Sequence, residues 1–199
     1  MAKASAAPAT IAIVCGLGNP DADYEHTRHN AGFATVDVLA ARHGVRYWKS
    51  EAGAQVASLA WRGADGEQRE VLLAKPMSYM NTSGGPLSKL ARAHRVAPQQ
   101  ILVVHDEVDL AAGEVRLKLG GGLNAHNGLR SIASKLGTRD FARLRVGTGR
   151  PPGRMSVADW ALRTLKGAFL EEFLAEAEDA ADLAALCLER GVEACLGRR

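Results

Sequence analysis

Two residues have the chemical types that hydrolysis by water needs. His29 lies in Thr27-Arg28-His29-Asn30, at the entry to a helical pattern. Asp106 lies in His105-Asp106-Glu107-Val108-Asp109, directly after the apolar run that begins at Ile101. An imidazole titrates near about 6.5, so its neutral form can take a proton from water at pH 7. A carboxylate beside it orients the ring and stabilises the imidazolium that forms. Plainer readings compete. A lone histidine at a loop end is usually incidental. Carboxylates after a strand often serve only solubility, which suits Glu107 and Asp109 better than Asp106. His26 and His29 form an H-x-x-H pair, but no third ligand follows at a useful spacing, so no metal site is assigned.

Asparagines form a second set of candidates. Gly16-Leu17-Gly18-Asn19-Pro20 follows an apolar β-branched run, but Asp21 stands where a dinucleotide fingerprint needs its third glycine. What remains is a sharp turn placing Asn19 at the carboxyl end of a strand, where open α/β sheets hold ligands. Met80-Asn81-Thr82-Ser83-Gly84 and Gly120-Gly121-Gly122-Leu123-Asn124-Ala125-His126-Asn127-Gly128 each offer an asparagine at a helix entry. An amide can donate and accept, which suits it to gripping a carbonyl or a sugar hydroxyl, though asparagine also caps helices well. His126 is a second possible base. No G-x-S-x-G elbow and no P-loop is present, so serine hydrolase and NTPase readings lack support.

Charge is unevenly spread. The net charge is only +3. Residues 155–199 carry 5 basic and 9 acidic side chains, while Arg116–Arg154 carries nine basic residues against Asp140 alone. Such density suits a polyanion, because each phosphate contact releases counterions. Scattered, solvated arginines are the bland alternative.

At 199 residues, with 47% hydrophobic and 24% charged side chains, the chain fits one globular domain. No stretch approaches the roughly 20 apolar residues of a membrane-spanning helix. Cys15, Cys187 and Cys195 show no CxxC spacing, which fits a reduced, cytoplasmic protein. Cys15 reads as a buried small apolar residue. Residues 1–10 read as a disordered extension, 11–191 as the catalytic domain and 192–199 as a tail. Strands are expected over Ile11–Cys15, Ile101–His105, Val115–Leu119 and Phe141–Val146, with a hairpin of Gln55–Arg62 and Glu70–Lys75 around Ala64-Asp65-Gly66. Helices are expected over Asn30–His43, Pro86–His94, Gly128–Leu136 and Ala168–Arg190. Together they predict an α/β fold: a single three-layer α/β/α domain with a twisted mixed β-sheet.

Taken in order, these segments resemble bacterial peptidyl-tRNA hydrolases. The match is carried by Gly16–Pro20, Tyr24, Thr27–Gly32, Tyr79–Gly84, His105–Leu110, Leu119–Leu129 and Arg145–Pro151. The resemblance implies hydrolysis of the ester joining a peptide to the 3′ ribose of tRNA. It implies a cytoplasmic monomer with no cofactor, no membrane association and no obligate protein partner. By position, His29 matches the family's catalytic base and Asp106 its orienting carboxylate. Asn19 matches the residue that senses a blocked amino group. Tyr24, Tyr79, Asn81 and Asn127 match tRNA or peptide contacts, and Arg116, Lys118, Arg143 and Arg145 match phosphate contacts. Two departures stand out. Leu123-Asn124-Ala125 replaces small flexible residues in the glycine loop, and Trp160–Leu165 departs from the usual run in a way that reads as repacking without effect on the chemistry. A non-catalytic RNA-binding protein on the same fold need not keep His29 and Asp106. An amidase using the same cleft would not need the basic stretch.

Overall fold

The computed structural model describes residues 10–197. The expected extension therefore lies outside the described residues, except for Thr10. In chain order the elements are β1 (Ile13–Gly16), α1 (Ala31–Arg42), β2 (Lys49–Glu51), β3 (Ala54–Arg62), β4 (Gln68–Pro76), α2 (Gly84–Ala93), β5 (Ile101–Glu107), β6 (Val115–Leu119), α3 (Asn127–Leu136), β7 (Ala142–Gly147), α4 (Val157–Leu162) and α5 (Ala168–Arg190). The sheet has seven strands in the order β2-β3-β4-β1-β5-β7-β6. Strands β4, β1, β5 and β7 run parallel, and β2, β3 and β6 add antiparallel edges. The mixed sheet expected from the sequence is present.

Alternation along the central strands makes the three layers, because successive side chains point to opposite faces. Ile13, Cys15, Ile101 and Val103 pack with Leu87 and Leu90 of α2 and Leu129 and Ile132 of α3. Val14, Leu102 and Val104 pack with Val36 and Leu39 of α1 and Ala180 and Ala184 of α5. Cys15 is fully buried, and burial pushes its thiol pKa up to about 12, as suits a core residue. Among the described residues, no helix is long and apolar enough to cross a membrane.

One close approach fixes where α1 begins. A Cβ built on Gly16 would lie 2.1 Å from the Gly32 carbonyl oxygen, and one on Gly32 would lie 2.2 Å from the Leu17 nitrogen. The backbones of β1 and α1 touch because neither residue has a side chain. This contact seats the preceding turn, Arg28–Asn30, over the strand ends.

Three details differ from the sequence reading. Residues 192–197 do not trail away as a tail: Val192 and Cys195 are buried in the core beside Cys187. The short β2 and α4 are additional, since three and six residues carry too little periodicity to be seen. Strand β5 runs on through Asp106 and Glu107, and both are buried. Glu107 is therefore not a solubility residue. It accepts from Arg145 Nε at 3.2 Å and from Asn124 Nδ2 at 3.1 Å.

Candidate active site

At the end of β5, one carboxylate oxygen receives two imidazoles. Asp106 Oδ1 lies 2.9 Å from His29 Nδ1 and 3.0 Å from His126 Nε2. The Asp106 side chain is 5% exposed, against 17% for His29 and 8% for His126. Burial alone would raise the Asp106 pKa. The neighbouring imidazoles overcome it and hold the carboxyl well below its usual range. An ionised carboxylate only accepts, so both ring nitrogens donate to it. His126 Nδ1, in turn, accepts from the Leu129 N–H at 3.4 Å as the cap of α3. Both nitrogens of His126 are thus committed, which removes it as a base.

His29 is different. Its Nδ1–H is spent on Asp106, and its Nε2 is the basic nitrogen. Burial pulls its pKa down, but the charge and hydrogen bond of Asp106 outweigh burial and leave it above the ordinary imidazole value. His105 completes the group. It is 1% exposed, its Nδ1 donates to the Asp106 carbonyl oxygen at 2.7 Å, and its ring meets His126 edge-on at 4.9 Å. Burial, then His126, drive its pKa far down, so it stays neutral.

His29, Asp106 and His126 open onto a cleft of about 340 Å³, also lined by Asn124 and Asn127 and by Ala158 and Leu162 of α4. Asn127 therefore lines the same cleft as His29. Asn81 is exposed in the Met80–Thr82 turn and does not line this cleft. Asn124 adopts φ 49°, a left-handed conformation that asparagine tolerates. The substituted glycine loop thus keeps a glycine-like backbone at that point, and the Asn124 amide tethers it to Glu107.

Asn19 is 7% exposed and locked from both ends. Its backbone N–H donates to Asn30 Oδ1 at 2.8 Å, and its carbonyl accepts from Asn30 Nδ2 at 3.0 Å. Its Oδ1 accepts from the Met80 N–H at 2.9 Å. The amide oxygen is thereby occupied, and Nδ2 is the atom available to a ligand. Asn19 lines a second cavity of about 420 Å³, together with His26. His26 thus faces away from the His29 cluster, and the H-x-x-H pair does not converge. Ligand atoms of His29, Asp106 and His126 lie within 4.8 Å of one another, but protons already bridge them through Asp106. Tyr79 is exposed and its hydroxyl donates to Asp21 Oδ2 at 3.0 Å, on the rim of the second cavity, and Tyr24 is half-buried nearby in the Ala22–Tyr24 turn.

The four expected phosphate contacts share one face of the β6–β7 pair. Arg116 stands directly opposite Arg145, and Lys118 opposite Arg143. Like charges so placed repel. Three of them are compensated: Arg116 by Glu114, Arg145 by Glu107, and Arg143 by the carbonyls of Gly120 and Gly122. Arg143 is only 1% exposed. It therefore supports the glycine loop and, as placed, cannot reach a phosphate. The sequence count could not separate it from its neighbours. Lys118 has no ion pair among the described residues.

Residues 13–198 match the family model described as peptidyl-tRNA hydrolase. The peptidyl-tRNA hydrolase of Nocardia farcinica is 51% identical over 183 residues, covering 92% of this chain and 93% of its own length. That of Mycobacterium tuberculosis is 46% identical over 187 residues, covering 94% and 95%. A solved structure of a mutant peptidyl-tRNA hydrolase from Acinetobacter baumannii has a TM-score of 0.85 at 32% identity, covering 98% of this chain and 96% of that one.

Proposed function

The chain belongs to the peptidyl-tRNA hydrolase family, and from that premise we propose that it hydrolyses the ester between a peptide and the 3′ ribose of tRNA with His29 as base. His29 Nε2 takes a proton from water as that water attacks the ester carbonyl. Asp106 holds the ring and balances the imidazolium, a step worth roughly 10²–10⁴-fold when well placed. The single observation that carries this is the 2.9 Å contact of His29 Nδ1 with a buried, ionised Asp106 at the floor of the cleft. His126 is a second donor that fixes the carboxylate. Asn127, in the same cleft, donates to the developing oxyanion. The same reading makes the protein a cytoplasmic monomer.

Asn19 supplies the discrimination. Its free Nδ2–H donates to a carbonyl of a blocked amino group and opposes the ammonium of a free aminoacyl ester. Tyr24, Tyr79 and Asn81 contribute on the outer rim. Arg116, Lys118 and Arg145 receive phosphates, with Arg143 holding the loop behind them.

The test is cleavage of N-acetyl-aminoacyl-tRNA beside the unblocked aminoacyl-tRNA, over a range of pH. Cleavage of the blocked ester alone is expected. Activity needs neutral His29, whose pKa is raised, so kcat should fall as pH drops through a midpoint above 6.5. An acid limb well below that value, or equal cleavage of both esters, would sink the assignment. For the tRNA grip, Lys118→Ala is cleaner than a change at Arg145, which would also release Glu107. It should raise KM severalfold and reduce the logarithmic salt slope by about 1, leaving a small ester substrate unaffected. Equal loss on the small ester would point to a damaged fold instead.

A further inference from the structure

We propose that Trp160 is a positioning residue for this reaction: its indole face holds Arg28, and through Arg28 the turn that carries His29. The proposal rests on His29 being the base. Arg28 and His29 are consecutive in the Arg28–Asn30 turn. The guanidinium carbon of Arg28 lies 3.6 Å from the centre of the Trp160 ring. Its Nη1 is buried with no hydrogen-bond partner among the described residues. The guanidinium is otherwise half-buried, with Glu176 and Glu172 adding opposite charge, and leaving one of its nitrogens buried without a partner is costly. The negative face of an indole is the strongest aromatic counterweight to that cost.

Trp160 is itself anchored to the sheet. Its Nε1 donates to the carbonyls of Thr148 at 3.2 Å and Gly149 at 3.0 Å, just beyond β7. The chain after α4 secures the approach to the turn. Leu165 N–H donates to the His26 carbonyl at 2.7 Å, and Thr27 bridges Thr164. Among the described residues, the His29 side chain makes one hydrogen bond, to Asp106, beside a tilted ring contact with His126 at 5.2 Å. Its Nε2 direction therefore depends on where the turn's backbone sits, and small misplacements of a catalytic group are costly. The departure at Trp160–Leu165 reads from sequence as mere repacking. The stack connects it to the chemistry, because α4 both walls the cleft and holds the base's neighbour.

The experiment measures kcat, KM and Tm on N-acetyl-aminoacyl-tRNA for Trp160→Leu, Trp160→Phe and His29→Ala. Trp160→Leu should lower kcat about tenfold with KM within about twofold. Trp160→Phe keeps a ring face and should recover most of kcat. Both variants lose the Nε1 bonds, so a purely structural role would lower both alike. If Trp160→Leu does not fold, Arg28→Lys replaces it: the charge stays, the planar stack goes, and the same kcat loss is expected. Unchanged kcat in Trp160→Leu or its substitute, or an equal loss in Trp160→Phe, overturns the proposal while leaving His29 as the base. Full activity in His29→Ala overturns the base assignment and this proposal with it.

Discussion

Asp106→Asn is expected to lower kcat by about 10²–10⁴-fold with KM changed no more than about threefold. The substitution is nearly isosteric, and Oδ1 can still accept from both His29 and His126. What disappears is the charge. Burial, which already pulls the His29 pKa down, would then be opposed only by a neutral hydrogen bond. The ring would become a weaker base, and its imidazolium would form without a counter-ion. The acid limb of the rate profile should therefore move to lower pH as kcat collapses. These shifts together separate loss of electrostatic support from loss of fold, which would leave the midpoint in place. An unchanged kcat would remove Asp106 from the mechanism.

Gly32→Ala is expected to cost about 3 kcal/mol or more, at the upper end of what overpacking does. Its added Cβ would lie 2.2 Å from Leu17 N, 2.3 Å from Val104 O and 2.7 Å from Leu17 O. All three are backbone atoms, so no side chain can rotate away. The Leu17 N–H to Val104 carbonyl bond, which joins the end of β1 to β5, lies in the path. The gain of up to about 1 kcal/mol from replacing glycine in a helix does not offset this. At about 2–4 °C per kcal/mol for a domain of this size, Tm should fall by roughly 6–12 °C. Gly85→Ala is the comparison: nothing lies within 4 Å of its added Cβ, so Tm should hold or rise slightly. Equal melting of Gly32→Ala and the parent protein would mean that α1 can slide along β1, and that the seating of His29 does not depend on this contact.

The sequence made His29 and Asp106 legible because each stands at the boundary of an element whose periodicity is plain. A continuous apolar run located β5, and helical spacing located α1. Their contact across 77 positions follows from β1 and β5 lying side by side. The commitment of His126 was not legible. It depends on the entry of α3 over β5, which no local pattern encodes. Asn19 showed its type but not its direction, because the Met80 N–H that takes its oxygen arrives from 61 positions away. Glu107 and Arg143 were misread for a common reason. Charged residues in or just after a strand read as exposed, yet both are buried around the glycine loop, where each finds partners that only the fold supplies.

The opposed cations of β6 and β7 have one more effect. Strand β6 ends the sheet, and its outer backbone groups would otherwise offer a template for a strand from another molecule. Arg116 and Lys118 project from that edge, already crowded by Arg145 and Arg143. A second copy docking there would bring its own two cations against them. Charge at this edge thus opposes strand pairing between copies of the chain.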